Sequence, residues 1–161
     1  MAHGSLDTYL NDHLAGAMFG SDLARQIAGQ VAGTASAERL ADLAGEIEAD
    51  RQTLSTLMDR LGARQNPVKQ TMTWMAEKLS RVKLSGLGPG DDELNLFMAL
   101  ETLSLGIEGK ALLWRMLREL ADGHPGLDAS ELEGLAARAE DQRRLVEEER
   151  VLVGRRALGD G

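Results

Sequence analysis

Proline occurs at only three positions in this chain of 161 residues: 67, 89 and 125. A proline inside a helix removes a backbone donor and clashes with the preceding turn. The stretches before 67, between 91 and 122, and beyond 130 are therefore open to long helices. Their apolar residues recur at alternating steps of three and four, the spacing of one helix face rather than of a strand. That pattern predicts four long helices. The first runs from about Leu6 to Ala32, with Leu6, Leu10, His13, Ala17, Gly20, Ala24, Ile27 and Val31 inward. The second runs from about Ala37 to Leu61, with Leu40, Leu43, Ile47, Leu54, Met58 and Leu61 inward. The third runs from Asp91 or Asp92 to about Asp122, with an inward row of Leu94, Met98, Glu101, Leu105, Glu108, Leu112 and Met116. The fourth covers about Ser130 to Leu158, with Leu132, Leu135, Ala139, Val146 and Val153 inward.

The connections differ in length. "GTAS" (33–36) joins the first pair, with Ser36 as a cap for the second helix and Arg39 where a capping box would place Glu. "GHPGLDAS" (123–130) joins the last pair, and Gly62 ends the second helix. Short links make antiparallel neighbours. The middle link is about thirty residues and carries its own amphipathic helix, 67–83, opened by Pro67 behind Asn66. Val68, Met72, Met75, Leu79 and Val82 form its stripe, with Trp74 beside it, and Lys69, Lys78, Arg81 and Lys83 lie on its solvated side. A helix this short needs packing to persist, so the stripe is expected to cover the bundle. Long helices span roughly 35–45 Å at 1.5 Å per residue, a length that thirty residues can travel. The expectation is a single all-α domain over 1–161: a four-helix bundle with one long crossover between helices two and three. "MAHGS" (1–5) is set aside as a candidate tag remnant.

Apolar content of 43 % and charged content of 27 % fit a globular domain. With no cysteine, thiol catalysis, thiolate metal sites and disulfides are excluded. The net charge of −8 is spread as −4 over 1–66, +3 over 67–90 and −7 over 91–161. An acidic chain binds nucleic acid poorly, no apolar run reaches membrane-spanning length, and the expected location is the cytoplasm.

The pieces "YLNDHLAGA" (9–17), "EIEADRQTLSTLMDRLG" (46–62), "VKQTMTWMAEKLSRVKL" (68–84) and "LETLSLGIEGKALLW" (100–114) resemble an uncharacterised group of bacterial ferritin-like proteins. The resemblance implies the four-helix bundle and carries no activity with it.

A di-iron carboxylate bundle needs two lone glutamates and two Glu-x-x-His motifs. No Glu-x-x-His occurs, and helices two and four carry "EADR" (48–51) and "EDQR" (140–143) instead. Arginine cannot ligate a metal but pairs well with carboxylates. Arg51 falls between Ile47 and Leu54, Arg143 between Ala139 and Val146, and Arg150 between Val146 and Val153. Burying a carboxylate demands a partner. The predicted polar core is thus Glu101 and Glu108 neutralised by Arg51 and Arg143, with Arg150 as a further partner and His13 about a turn away. On that reading Arg143→Leu destabilises strongly, and no metal or cofactor is expected. The alternative is an iron or manganese site built from His13, Asp50, Glu101 and Glu108.

Gly16 and Gly20 with Ala17 and Ala24, and Gly106 with Gly109, thin helices one and three. Close packing is the favoured explanation, and an apolar pocket for a small ligand is the other. The methionines read as gap-fillers. No nucleophile set is evident, and "GLGPG" (86–90) lacks the strand and the Lys-Ser/Thr of a phosphate loop. The leading functional expectation is a non-catalytic bundle acting through its surface, as a homo-oligomer or partner-binding module. The first alternative is a ferritin-like iron or manganese oxidoreductase with an unusual ligand set. The second is small-molecule binding in the bundle interior.

Overall fold

The computed structural model describes residues 3–66 and 91–159, and over them the chain is all-helical. Four long helices account for nearly all of it: α1 (His3–Gln30), α2 (Ala37–Arg60), α3 (Asp91–Leu120) and α4 (Ala129–Leu158). Their bounds fall within about three residues of the periodicity. The expected crossover helix, 67–83, lies outside the described residues. None of the described helices is long and apolar enough to cross a membrane.

The helix ends follow local chemistry. Past α2, Gly62 adopts φ +66°, the left-handed region where a side chain would be strained. Ala63 N–H then donates to Met58 C=O at 2.9 Å and Gly62 N–H to Asp59 C=O at 3.1 Å, the paired closure of a Schellman motif. Asp128 caps α4, its side chain accepting from Glu131 N–H at 2.7 Å. Ser36 does not cap α2: its hydroxyl donates across the bundle to Glu149 Oε2 at 2.7 Å.

Side-chain pairs fix the directions. Ser21 meets Glu48 between α1 and α2, and Asn11 near the start of α1 donates to the Arg64 carbonyl just past the end of α2. Arg60 meets Glu131 at one end of the α2–α4 pair, and Arg39 meets Glu149 toward the other. Glu93 meets Arg156, and Arg118 meets Glu133, between α3 and α4. As one number rises the partner's falls, so each of these neighbours is antiparallel. α1 also packs on α3. The order around the bundle is α1, α2, α4, α3. α2 therefore ends where α3 ends, and α3 begins at the far end, beside the last turns of α4. A close approach pins the short α3–α4 turn to the end of α2: a Cβ on Gly126 would stand 3.0 Å from the Arg60 carbonyl.

The core is filled by Leu10, Leu23 and Ile27 from α1, Leu40, Leu54, Leu57 and Met58 from α2, Leu100, Leu103, Leu113, Trp114 and Leu117 from α3, and Leu132 and Val146 from α4. Fully burying such a side chain contributes about 1.5–3 kcal/mol. The predicted inward rows hold for α4 throughout and for α2 up to its last residue, Leu61, which is only partly buried. For α3 the prediction is inverted. Leu94, Met98, Leu105, Leu112 and Met116 are exposed, and the inward row is Leu100, Leu103, Ile107, Lys110, Trp114 and Leu117. Both rows step by three and four. The inner one buries a tryptophan and a single charge, where the outer one would have buried two carboxylates.

Candidate functional site

Asp50 on α2 is the most deeply buried acid of the described chain, at 2 % exposure. It follows Ile47 by three and precedes Leu54 by four, which puts it on the buried face of α2. Lys110 holds the matching place on α3, between Ile107 and Trp114, and Gln142 on α4, between Ala139 and Val146. Lys110 Nζ donates to Asp50 Oδ2 at 2.5 Å and also to the Gln142 side-chain carbonyl. Arg138 pairs with Asp50 Oδ1. The Gln142 amide donates to Asp50 Oδ2 at 3.1 Å and to Glu46 Oε2 at 3.0 Å. One carboxylate thus takes two cations and an amide, partners that offset the cost of taking it out of water. Burial holds Lys110 below the ordinary lysine range, although the Asp50 charge and hydrogen bond pull it upward.

A cavity of about 180 Å³ adjoins this cluster, between α1, α2 and α3. Its wall is mostly apolar: Ala17, Phe19, Leu23, Ile47, Leu54, Leu103, Ile107, Leu113 and Trp114. Asp12, His13, Asp50, Arg51, Thr102 and Lys110 supply the polar part. Gly16 and Gly20 on α1 and Gly106 and Gly109 on α3 also line it. A Cβ on Gly20, Gly106 or Gly109 would meet nothing within 4 Å. These three glycines do not serve close packing, contrary to the favoured explanation from sequence, and leave space instead. His13 lies edge-on to Tyr9, with ring centroids 4.6 Å apart. Burial lowers its pKa, and Asp12 opposes the shift. Trp114 is buried, and among the described residues its indole N–H finds no acceptor. Such an unpaired donor costs about 1–3 kcal/mol.

The predicted polar core is elsewhere. Glu101 is exposed and pairs with Arg150 at 3.0 Å. Glu108 is half-exposed, 3.6 Å from Arg143 and 3.7 Å from Arg115. Two of the expected partnerships therefore exist, Glu108–Arg143 and Glu101–Arg150, but at the surface between α3 and α4 and not at the bundle axis. Arg51 takes neither glutamate. It binds Glu48, one turn back, with 2.6 and 3.0 Å hydrogen bonds. That guanidinium and the Ser21 hydroxyl bring Glu48 down to about 2. On α2 and α4 the error has one geometric source. A row stepping three-four and a row stepping four-three share the same apolar residues and differ at the residue between them. Asp50, Gln142 and Glu149 face inward where Arg51, Arg143 and Arg150 had been placed, one residue and about 100° away.

The alternative metal set is not assembled either. His13 and Asp50 line the cavity, whereas Glu101 and Glu108 lie on the outer side of α3. Among the described residues no group of three or more His, Asp or Glu side chains stands in metal-binding proximity. Lys110 and Gln142 escaped the sequence reading, which followed the wrong α3 row. Their signal was present: an acid on one strict three-four row and a base on another, with no other charge on either. Compared with known proteins, the chain matches no family model, no curated protein and no solved structure.

Proposed function

We propose that this chain is a small-molecule-binding helical bundle of ferritin-like arrangement, and that its ligand occupies the cavity beside Asp50 and Lys110. The ferritin-like arrangement is supported by chain direction. α2 ends and α3 begins at opposite ends of the bundle, roughly 35 Å apart for helices of this length, so residues 61–90 join the two ends. Those directions support a short–long–short connectivity, two antiparallel pairs with one lengthwise crossover.

The observation that carries the binding reading is the cavity itself, kept open by glycines and bordered by a tryptophan whose buried N–H has no acceptor among the described residues. An empty apolar cavity of about 150 Å³ admits benzene, so about 180 Å³ suits a ligand slightly larger. The charges of the cluster balance, Asp50 and Glu46 against Lys110 and Arg138, which favours a neutral ligand. Its class is a small aromatic or aliphatic molecule carrying one hydrogen-bond acceptor for the indole N–H. The carboxylate–arginine core and the di-metal centre lack such support, since the glutamates both would need lie on the outer face.

Calorimetry with two probes tests the proposal. Benzaldehyde, which offers a carbonyl, is expected to bind more tightly than toluene. One net hydrogen bond of about 1 kcal/mol corresponds to roughly fivefold in affinity. Trp114→Phe should remove the difference, and Gly20→Leu should abolish binding of both while the fold persists, because the added side chain enters open space. Absence of binding by either probe at about millimolar concentration, where even a −4 kcal/mol interaction registers, would refute the proposal.

A further inference from the structure

The outer row of α3 remains. Leu105 is 71 % exposed, and Leu94, Met98, Leu112 and Met116 are 37–53 % exposed. Isolated apolar residues on a surface are ordinary, but five aligned on one helix face, with Glu101 and Glu108 set between them, make a candidate interaction surface. The spacing of the line is symmetric about its middle. Met98 and Leu112 each lie seven residues from Leu105, and Leu94 and Met116 each lie eleven. Seven and eleven residues are close to two and three helical turns, so all five stand in one line.

We propose that this face binds a second copy of the chain, with two α3 helices crossing antiparallel on a two-fold axis at Leu105. A two-fold interface places residue i against j and j against i. Here Leu105 meets its own counterpart, Met98 meets Leu112, and Leu94 meets Met116, each twice. An unrelated partner imposes no such mirror spacing, which is why a second copy is the occupant this row fits. The charges allow it. The axis brings Glu101 of one copy near Glu108 of the other, an opposition of like charges. Each is already neutralised within its own chain, Glu101 by Arg150 and Glu108 by Arg143 and Arg115. Those arginines flank the apolar line on the α4 side, as a polar rim flanks an interface core. A single helix pair is smaller than a standard interface, so the dimer is expected to be weak, dissociating in the micromolar range.

Sedimentation from about 1 to 200 µM reads the mass on both sides of that range. The expected result is a concentration-dependent dimer that Leu105→Glu keeps monomeric with its helicity intact. The native chain has no cysteine, which makes register directly testable. Under mild oxidation Leu105→Cys should link to itself. Leu94→Cys and Met116→Cys should link only when the two variants are mixed. A monomer at all concentrations, as when residues 67–90 cover the row within one chain, overturns the proposal. So does a dimer that survives Leu105→Glu, or Leu94→Cys linking to itself as readily as to Met116→Cys.

Discussion

Leu103 and Leu105 are two residues apart on α3, and one is 2 % exposed while the other is 71 % exposed. The faces they stand on look alike as sequence. Each is an apolar row stepping by three and four, and each contains charge: Lys110 on the inner face, Glu101 and Glu108 on the outer. The difference is in how the charge is met. Lys110 finds Asp50 and Gln142 on two other helices, at hydrogen-bond distance and out of water. Glu101 and Glu108 find arginines on α4 at the wet rim of the α3–α4 contact. A helix with two hydrophobic faces is oriented by which face carries polar groups its neighbours can satisfy.

The largest expected effect comes from breaking the inner pairing. Asp50→Leu strands Lys110 and Arg138 and should cost about 3–5 kcal/mol, the penalty of an uncompensated buried charge. For a chain of this size that is roughly 6–20 °C in Tm. Asp50→Leu with Lys110→Met should regain much of the loss, because both partners leave together. A single-variant loss below about 1 kcal/mol would mean that Asp50 reaches water and that the two faces do not differ as described.

Next are the leucines. Leu103→Ala should cost about 2–5 kcal/mol through lost burial and the void left behind. Leu105→Ala should stay within about 0.5 kcal/mol, as surface substitutions do. Urea unfolding at low protein concentration, below dimer assembly, measures both. Equal losses would erase the distinction between the faces.

The smallest effect sharpens the comparison from the outer side. Arg143→Leu, strongly destabilising if Glu108 lay at the axis, should change stability by less than about 1 kcal/mol, as exposed ion pairs do. The same denaturation measurement checks it, and a loss as large as that of Asp50→Leu would return Glu108 to the core.

Much of the frame was legible without a structure. The four helices follow from proline placement and periodicity, because helix formation is decided by local backbone sterics and the repeat of apolar residues. Gly62 as a stop reflects the same local physics, a backbone angle that glycine adopts freely. The inward row of α4 was readable because Leu132, Leu135, Ala139, Val146 and Val153 have no apolar rival of equal length on that helix.

What local pattern could not settle was rotation about each helix axis. On α3 two rows competed, and on α2 and α4 the polar residue between apolar neighbours could be either of two. Choosing Asp50 over Arg51, or Gln142 over Arg143, is a turn of about 100°. No single helix contains the information that decides it. The decision belongs to the tertiary structure, because a buried charge is stable only where a partner from another helix reaches it at the same level. Asp50, Lys110 and Gln142 lie 60 and 32 residues apart in the chain, and only the packed bundle brings them within hydrogen-bond distance. The cavity arises in the same way: the glycines are written in the sequence, but whether a neighbour fills the space they leave is settled by how the helices pack around them.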